Sequence, residues 1–101
     1  MSEIKNQLKQ ELADVEWRDL ISHAQRDILI VVNASLDLLE VGLAIATDQV
    51  NIVQNLISQN LIHKPTPEQL SNWNSTPEKQ FKTLIVQPFV LVQSVNVSEL
   101  E

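Results

Sequence analysis

Hydrophobic and polar residues alternate along this chain with two different spacings, which separate helical from extended segments. Near the start, apolar positions recur at intervals of four, four and three, which predicts a first helix capped by Ser2. A second helical segment is predicted to start near Glu16. Residues 28–32 instead form a short, β-branched, wholly apolar run, which is typical of a strand buried on both faces.

The middle of the chain predicts two further helices joined by a tight turn. Ser35 is a suitable N-cap for an apolar helix over 36–46, and Asp48 is a suitable N-cap for the next helix. Asn60 lies where a helix commonly ends in a left-handed residue. Gly42 falls in mid-helix, where glycine costs about 1 kcal/mol relative to alanine. Such a glycine allows another element to approach closely.

The last predicted helix has the clearest start signal in the chain. Thr66 is followed by Pro67 and, three positions on, by Gln69. This pattern matches a capping box with proline at the first helical position. A short helix is therefore predicted to extend to about Asn74.

Two strand-like segments follow, over 83–86 and 89–92, with Pro88 between them. Proline cannot donate to a sheet ladder, so Pro88 is expected at an edge, a kink or a turn. Gln87–Pro88 is not one of the usual two-residue hairpin loops. We therefore expect one long kinked strand, with a tight hairpin as the alternative.

These elements predict a helix-rich α+β domain with a small sheet of two or three strands, in the order ααβαααββ. The order overlaps the winged-helix plan by topological analogy. We expect a single domain over 1–93 and a flexible C-terminal tail over 94–101.

Composition then excludes several kinds of chemistry. The 101 residues include no cysteine, which rules out disulfides, thiol nucleophiles and cysteine-ligated metals. The single glycine rules out a Gly-x-Ser-x-Gly elbow and a phosphate-binding glycine loop. No cofactor is predicted.

The charge distribution narrows the range of partners. The formal charge is -6, and residues 27–63 contain no lysine or arginine. Because nucleic-acid binding depends on cations that neutralise phosphates, this gap disfavours it. The stretch 28–46 is the most apolar of the chain, but three polar residues interrupt it, so no membrane span is expected. The three residues that interrupt this stretch are Asn33, Asp37 and Glu40. We expect a cytoplasmic protein.

His23 and His63 are the only histidines, and His23 is the candidate metal ligand with carboxylates nearby in sequence. It lies four residues from both Asp19 and Asp27, so a helical stripe of these three could bind a divalent ion. The simpler interpretation is a histidine near a helix C-terminus, beside Arg26 and the helix dipole.

Asp37 and Glu40 lie three residues apart on one predicted helix face. Paired carboxylates can serve acid–base chemistry when their pKa values differ. A solvent-exposed acidic face near a helix N-terminus is the simpler interpretation. A metal-dependent enzyme would need His23 to converge with Asp37, Glu40 or Asp48.

Trp17 and Trp73 are the only tryptophans. Tryptophan often anchors interfaces or lines pockets, but it also fills cores. Trp17 fits a core position. Trp73 lies among polar neighbours, so the sequence is compatible with either a core or a surface position for its side chain.

Four segments of the chain carry a family resemblance: 16–26, 36–41, 44–46 and 86–93. They resemble one family of small bacterial proteins, known as the domain of unknown function 2288, over about residues 16–93. The resemblance implies no established activity. It also implies tight turns at Asp27 and Asn60, because these positions often hold glycine in that family.

We therefore predict a non-catalytic protein-interaction module, a homodimer formed through the segment 83–92 or the helix 36–46. The alternatives are a winged-helix-like nucleic-acid-binding or regulatory protein, and a small metal-dependent enzyme that uses His23. The candidate interaction or pocket residues are Trp17, His23, Arg26, Asp37, Glu40, Asp48, Trp73 and Pro88.

Overall fold

A computed structural model describes residues 3–94 of the chain, which form a five-stranded mixed sheet with helices on both faces. The elements are α1 (Glu3–Glu11), β1 (Ala13–Glu16), a 3₁₀ turn (Trp17–Asp19), α2 (Ile21–Gln25), β2 (Leu29–Val32), α3 (Leu38–Ala46), α4 (Val50–Ser58), β3 (Ile62–His63), α5 (Pro67–Asn74), β4 (Gln80–Val86) and β5 (Phe89–Ser94). The strand order is β1-β4-β5-β2-β3, in which β5 and β2 are parallel and the other neighbours are antiparallel.

The sheet separates two cores of different composition. The aliphatic side packs α1, α3 and α4 against the sheet, and the aromatic side packs the 3₁₀ turn, α2 and α5 against the opposite face. Successive strand residues face opposite sides, so β4 and β5 contribute to both cores. The buried aliphatic core consists of Leu8, Val32, Leu38, Val41, Ile62, Leu84, Val86 and Leu91. The buried aromatic core consists of Trp17, Leu20, Leu29, Val31, Trp73, Phe81, Val90 and Val92.

The sheet is larger than the sequence predicts, and the expectation of two or three strands is wrong. Two strands were missed, β1 and β3. The apolar spacing that extends the first helix to Val15 is misleading, because Leu8 packs on the aliphatic side and Val15 on the aromatic side. β3 has only two residues, too few to show a period. The chain is nevertheless α+β and rich in helix.

The similarity to the winged-helix plan, which the order of elements predicts, is not found in the structure. Helices cover both faces of the sheet, and a parallel pair, β2 and β5, lies within it. A helix pair followed by a late β-ribbon is therefore only a partial description of this topology.

The last two strands form a hairpin, so the favoured expectation of one kinked strand is wrong. β4 and β5 pair antiparallel along their length, and Gln87 and Pro88 form the turn, with a cis peptide bond between them. β4 is flanked by β1 and β5, and β5 by β4 and β2. Neither strand has a free edge, so the segment 83–92 cannot form a dimer by edge pairing.

Helix ends follow the sequence signals in part. The capping box of Thr66 and Gln69 is present, and Asn60 is left-handed with φ 60°. Asp37 caps α3 instead of the predicted Ser35. Asp48 is not an N-cap but a left-handed turn residue with φ 59°, a conformation that Asp tolerates better than most side chains.

The resemblance implied left-handed turns at Asp27 and Asn60, and both residues have positive φ, 63° and 60°. The predicted tail, 94–101, lies outside the described residues except for Ser94, which ends β5.

Gly42 lets α3 lie directly on the sheet. A Cβ atom built at this position would collide with Cδ2 of Leu84 on β4 and would lie 3.3 Å from Cγ2 of Val86. Leu84 is fully buried, so it has little room to move. The predicted close approach at Gly42 is confirmed.

Candidate functional site

A cleft of about 710 Å³ lies where the aliphatic face of the sheet is left open beside the start of α3. Its floor is a row of polar side chains on three neighbouring strands, since Asp14 pairs with Lys82 and Lys82 with Gln93. The residues around the cleft are Leu12, Ala13, Asp14, Ser35, Leu36, Asp37, Leu38, Leu39, Lys82 and Gln93.

Two polar side chains of this cleft, those of Gln93 and Asp37, already have a structural role. The Gln93 amide donates hydrogen bonds to the carbonyl oxygens of Asn33 and Leu36, at 2.9 and 2.7 Å, and so holds the loop before α3. The Asp37 carboxylate accepts a hydrogen bond from the backbone N–H of Leu39. Within residues 3–94, Lys82 makes no ion pair. The cleft therefore offers the amine of Lys82 and the uncommitted carboxylate of Asp14. Among the described residues, no hydrogen bond in the cleft joins a nucleophile to a base.

Trp17 and Trp73 meet in the aromatic core. Their ring centroids are 5.0 Å apart, and Phe81 packs against both. Trp17 donates a hydrogen bond from Nε1 to Oδ1 of Asn74, at 2.8 Å. Both tryptophans are buried, so the aromatic pair connects the 3₁₀ turn to α5 across the start of β4.

His23 and Arg26 lie at the end of α2 on the aromatic side. His23 is half-buried, and its Nδ1 atom has no hydrogen-bond partner among the described residues. Arg26 is exposed and occupies the C-cap position. The predicted neighbour Asp27 is engaged elsewhere, since its carboxylate pairs with Lys64 at 2.8 Å.

The other candidate residues lie apart from His23. Glu40 forms an exposed ion pair with Lys5 of α1, at 3.0 Å, and Asp48 lies in the turn between α3 and α4. Pro88 is exposed in the β4–β5 turn. Asp37 and Glu40 belong to the aliphatic side, so the sheet separates them from His23.

No metal site is assembled within the described part of the chain. Residues 3–94 contain no group of three or more histidines and carboxylates close enough to hold a metal ion. The second histidine, His63, lies on the edge strand β3, with Nδ1 2.8 Å from the carbonyl oxygen of Lys64. The geometry thus joins only Trp17 with Trp73 among the predicted residues.

Sequence reasoning missed the exposed surface of α4 as a feature of interest. None of the nine residues of this helix is buried, and three large aliphatic side chains are about half exposed: Val50 51%, Ile52 46% and Ile57 56%. The apolar residues of α4 span an arc of about 160° around the helix, wider than the usual core-facing stripe, but this pattern does not show which part of the arc is left uncovered. The spacing of Val50, Ile52, Val53, Leu56 and Ile57 predicts that they form the buried side of the helix, and this prediction is wrong for Val50, Ile52 and Ile57.

The fold is that of a small α+β protein built on a five-stranded mixed sheet. The chain belongs to the family described as protein of unknown function (DUF2288), whose model matches residues 3–94.

The fold is also similar to a solved structure, the NMR solution structure of PA1075 from Pseudomonas aeruginosa. The TM-score is 0.79 and the sequence identity is 27%, over 95% of this chain and 88% of that chain. No curated protein matches the chain. Among residues 3–94, no helix combines the length and apolarity that a membrane span requires.

Proposed function

We propose that this chain is a non-catalytic interaction module that binds a second copy of itself through α4. The observation that carries the proposal is the exposed aliphatic surface of this helix, at Val50, Ile52 and Ile57. Contiguous exposed apolar patches on a folded domain commonly mark interaction sites. The other large apolar side chains that are exposed in residues 3–94 lie outside α4: Ile4, Leu12 and Ile85.

Charge supports a second copy as the occupant of this surface. The chain carries a formal charge of -6, so two copies repel each other over most of their surface. A two-fold interface places the same patch of both chains in contact, and like charges in that patch would oppose association. Residues 49–61 contain no charged side chain, which makes α4 suited to contact its own copy.

Other surfaces of the chain are less suited to form the homodimer interface. α3, the helix favoured by the sequence, has four buried residues and lies between α4, α1 and the sheet. The edge of β1 carries Asp14 and Glu16, and pairing it with its own copy would bring carboxylates together. β3 at the other edge has only two residues.

The dispersed chemistry supports a non-catalytic role. His23 lies on one side of the sheet, and the carboxylates of Asp37 and Glu40 lie on the other. Nucleic-acid binding has less support, because α4 offers amides without a cation. We also propose that the protein is bacterial and cytoplasmic, as expected from the sequence.

The test is the mass of the chain in solution as a function of concentration. We expect sedimentation equilibrium to give twice the chain mass of 11.4 kDa at tens of micromolar, and a shift toward the monomer on dilution. Ile57→Glu should give a monomer throughout, because it buries an unpaired charge in the interface.

Ile4→Glu is the matched control, since Ile4 is a similarly exposed isoleucine, 44%, on a different helix, α1. This variant should retain the mass of the wild type. A wild type that stays monomeric at these concentrations, or an Ile57→Glu variant that dimerises like Ile4→Glu, would remove the proposal.

A further inference from the structure

We infer that the two copies pair their α4 helices antiparallel, so that Ile57 of each chain packs into a groove beside Val50 of the other. This inference rests on the proposed dimer and specifies its geometry. It depends on three features of α4: which flank is open, where the groove lies, and where the nearest charge lies.

The open surface of α4 is divided between two flanks. Val50, Val53, Gln54 and Ile57 are spaced i, i+3, i+4 and i+7, so they form one stripe along the helix, here called the α4 stripe. Ile52 is five residues from Ile57, which places it about 140° around the helix. Only the α4 stripe thus carries two exposed aliphatic residues in line, Val50 and Ile57.

A shallow groove opens beside the first half of this stripe. Its volume is about 160 Å³, and aliphatic side chains of α3 and α4 form its apolar walls. Ile57, the most exposed large apolar residue described, lies two turns further along the same helix. The residues around the groove are Ile45, Asp48, Gln49, Val50, Val53 and Gln54.

A protruding side chain and a groove on one helix favour an antiparallel pair. Val50 and Ile57 are about 10 Å apart along the axis. When two such helices run in opposite directions about a two-fold axis near residues 53 and 54, each Ile57 meets the groove of the other copy. Both contacts form at once, as a self-complementary interface requires.

Asp48 gives an independent reason for this direction. A parallel pair would place the two Asp48 carboxylates side by side, at the helix separation of about 8–10 Å. An antiparallel pair puts about 16 Å between them along the axis, well beyond the screening length of about 8 Å at physiological ionic strength. It also sets each Asp48 near Gln59 of the other copy, whose amide can donate to it.

The size of the stripe sets the expected affinity. A nine-residue helix is about 13 Å long, so the buried area falls below the ~800 Å² per partner of standard interfaces. We therefore expect dissociation in the micromolar range and not in the nanomolar range.

Disulfide trapping tests the geometry, because the chain has no cysteine of its own. We would make Val50→Cys and Ile57→Cys and oxidise them separately and as an equimolar mixture. In the antiparallel pair, positions 50 and 57 face each other, whereas each position is about 10 Å from its own copy, too far for a disulfide. The mixture should thus cross-link about tenfold faster than either variant alone.

Ile52→Cys is the matched control on the other flank, and it should cross-link slowly in every combination. Fast self-linking of Val50→Cys and of Ile57→Cys would indicate a parallel pair and overturn the inference. A wild type that dimerises by mass, with no preferential cross-link in the mixture, would also overturn it while leaving the proposed dimer intact. A wild type that is monomeric by mass would remove both.

A charge exchange provides a second readout that needs no cysteine. Val50→Glu and Ile57→Lys should each be monomeric, because each places an unpaired charge against an aliphatic side chain. Mixed, they should form heterodimers, since position 50 of one copy meets position 57 of the other. Failure of the mixture to associate would contradict the antiparallel register.

Discussion

The adjacent helices α3 and α4 have the same length, nine residues, and neither contains a basic residue, but their surroundings differ. α3 lies on β4 and β5 and has four buried residues. α4 contacts α3 and the two-residue strand β3 and has no buried residue. The contrast shows that position over the sheet, and not apolar content alone, determines whether a helix is covered.

The difference explains why one helix serves the fold and the other is available for a partner. α3 contributes Leu38 and Val41 to the aliphatic core, and Gly42 brings its backbone against Leu84. α4 contributes only Val53 and Leu56, both partly buried. Because the hydrophobic effect scales with the area removed from water, α4 retains a driving force for association that α3 has already used in folding.

The largest expected effect on stability comes from truncating a buried side chain of α3, and truncating an exposed side chain of α4 is the comparison. Leu38→Ala removes a buried side chain, 4% exposed, and should lower the free energy of unfolding by about 2–5 kcal/mol. Ile57→Ala should change the stability of the monomer by less than about 1 kcal/mol, because the side chain is half exposed. Urea unfolding below the dimer dissociation constant measures both. Equal losses would show that α4 is as much a part of the core as α3.

The next effect concerns the approach of α3 to the sheet. Gly42→Ala gains about 1 kcal/mol of helix propensity but forces Leu84 from its place, which costs about 1–3 kcal/mol. We expect a net loss of stability, seen as a lower Tm. Asn51→Ala, at an exposed position of α4, gains less helix propensity, up to about 0.7 kcal/mol, but meets no clash and should raise Tm slightly. A Gly42→Ala variant that is more stable than the wild type would contradict the close contact.

The smallest effect is electrostatic. The ion pair between Lys5 and Glu40 connects α1 to α3, and both side chains are about half exposed. Exposed pairs contribute about 0–1 kcal/mol, so Glu40→Gln should lower stability by less than 1 kcal/mol. A double-mutant cycle with Lys5→Gln isolates the pair, and the coupling should fall as salt is added. A coupling well above this range would mean that Glu40 has a partner besides Lys5.

Local signals in the sequence correctly predicted several features of the fold. The capping box at Thr66, the left-handed residue at Asn60 and the wholly apolar strand β2 each depend on a few neighbouring residues. Such features are encoded locally, so they can be recognised without knowledge of the rest of the fold.

The elements that were missed depend on distant parts of the chain. β1 has a single half-buried apolar residue, Val15, and becomes a strand by pairing with β4 more than sixty residues later. The turn at Pro88 forms a hairpin because β4 and β5 match in register, which no local pattern at Gln87–Pro88 reveals. Strand pairing of this kind is a tertiary property that overrides local preference.

The candidate site was less predictable than the fold. Trp17 and Trp73 are far apart in sequence, and only the folded chain shows that they pack on each other within the core. The apolar pattern of α4 was visible, but a helix pattern gives the direction of its apolar face without showing whether anything covers that face. The open α4 stripe therefore emerges only when the sheet and α3 are in place.

Hydrogen exchange across a dilution series tests most directly whether a second copy covers α4. Amides of α3 should exchange slowly and equally at all concentrations, because the sheet protects them in one chain. Amides of α4 should be protected at tens of micromolar and should exchange faster as the dimer is diluted toward the monomer. Exchange in α4 that is the same at every concentration would contradict the account.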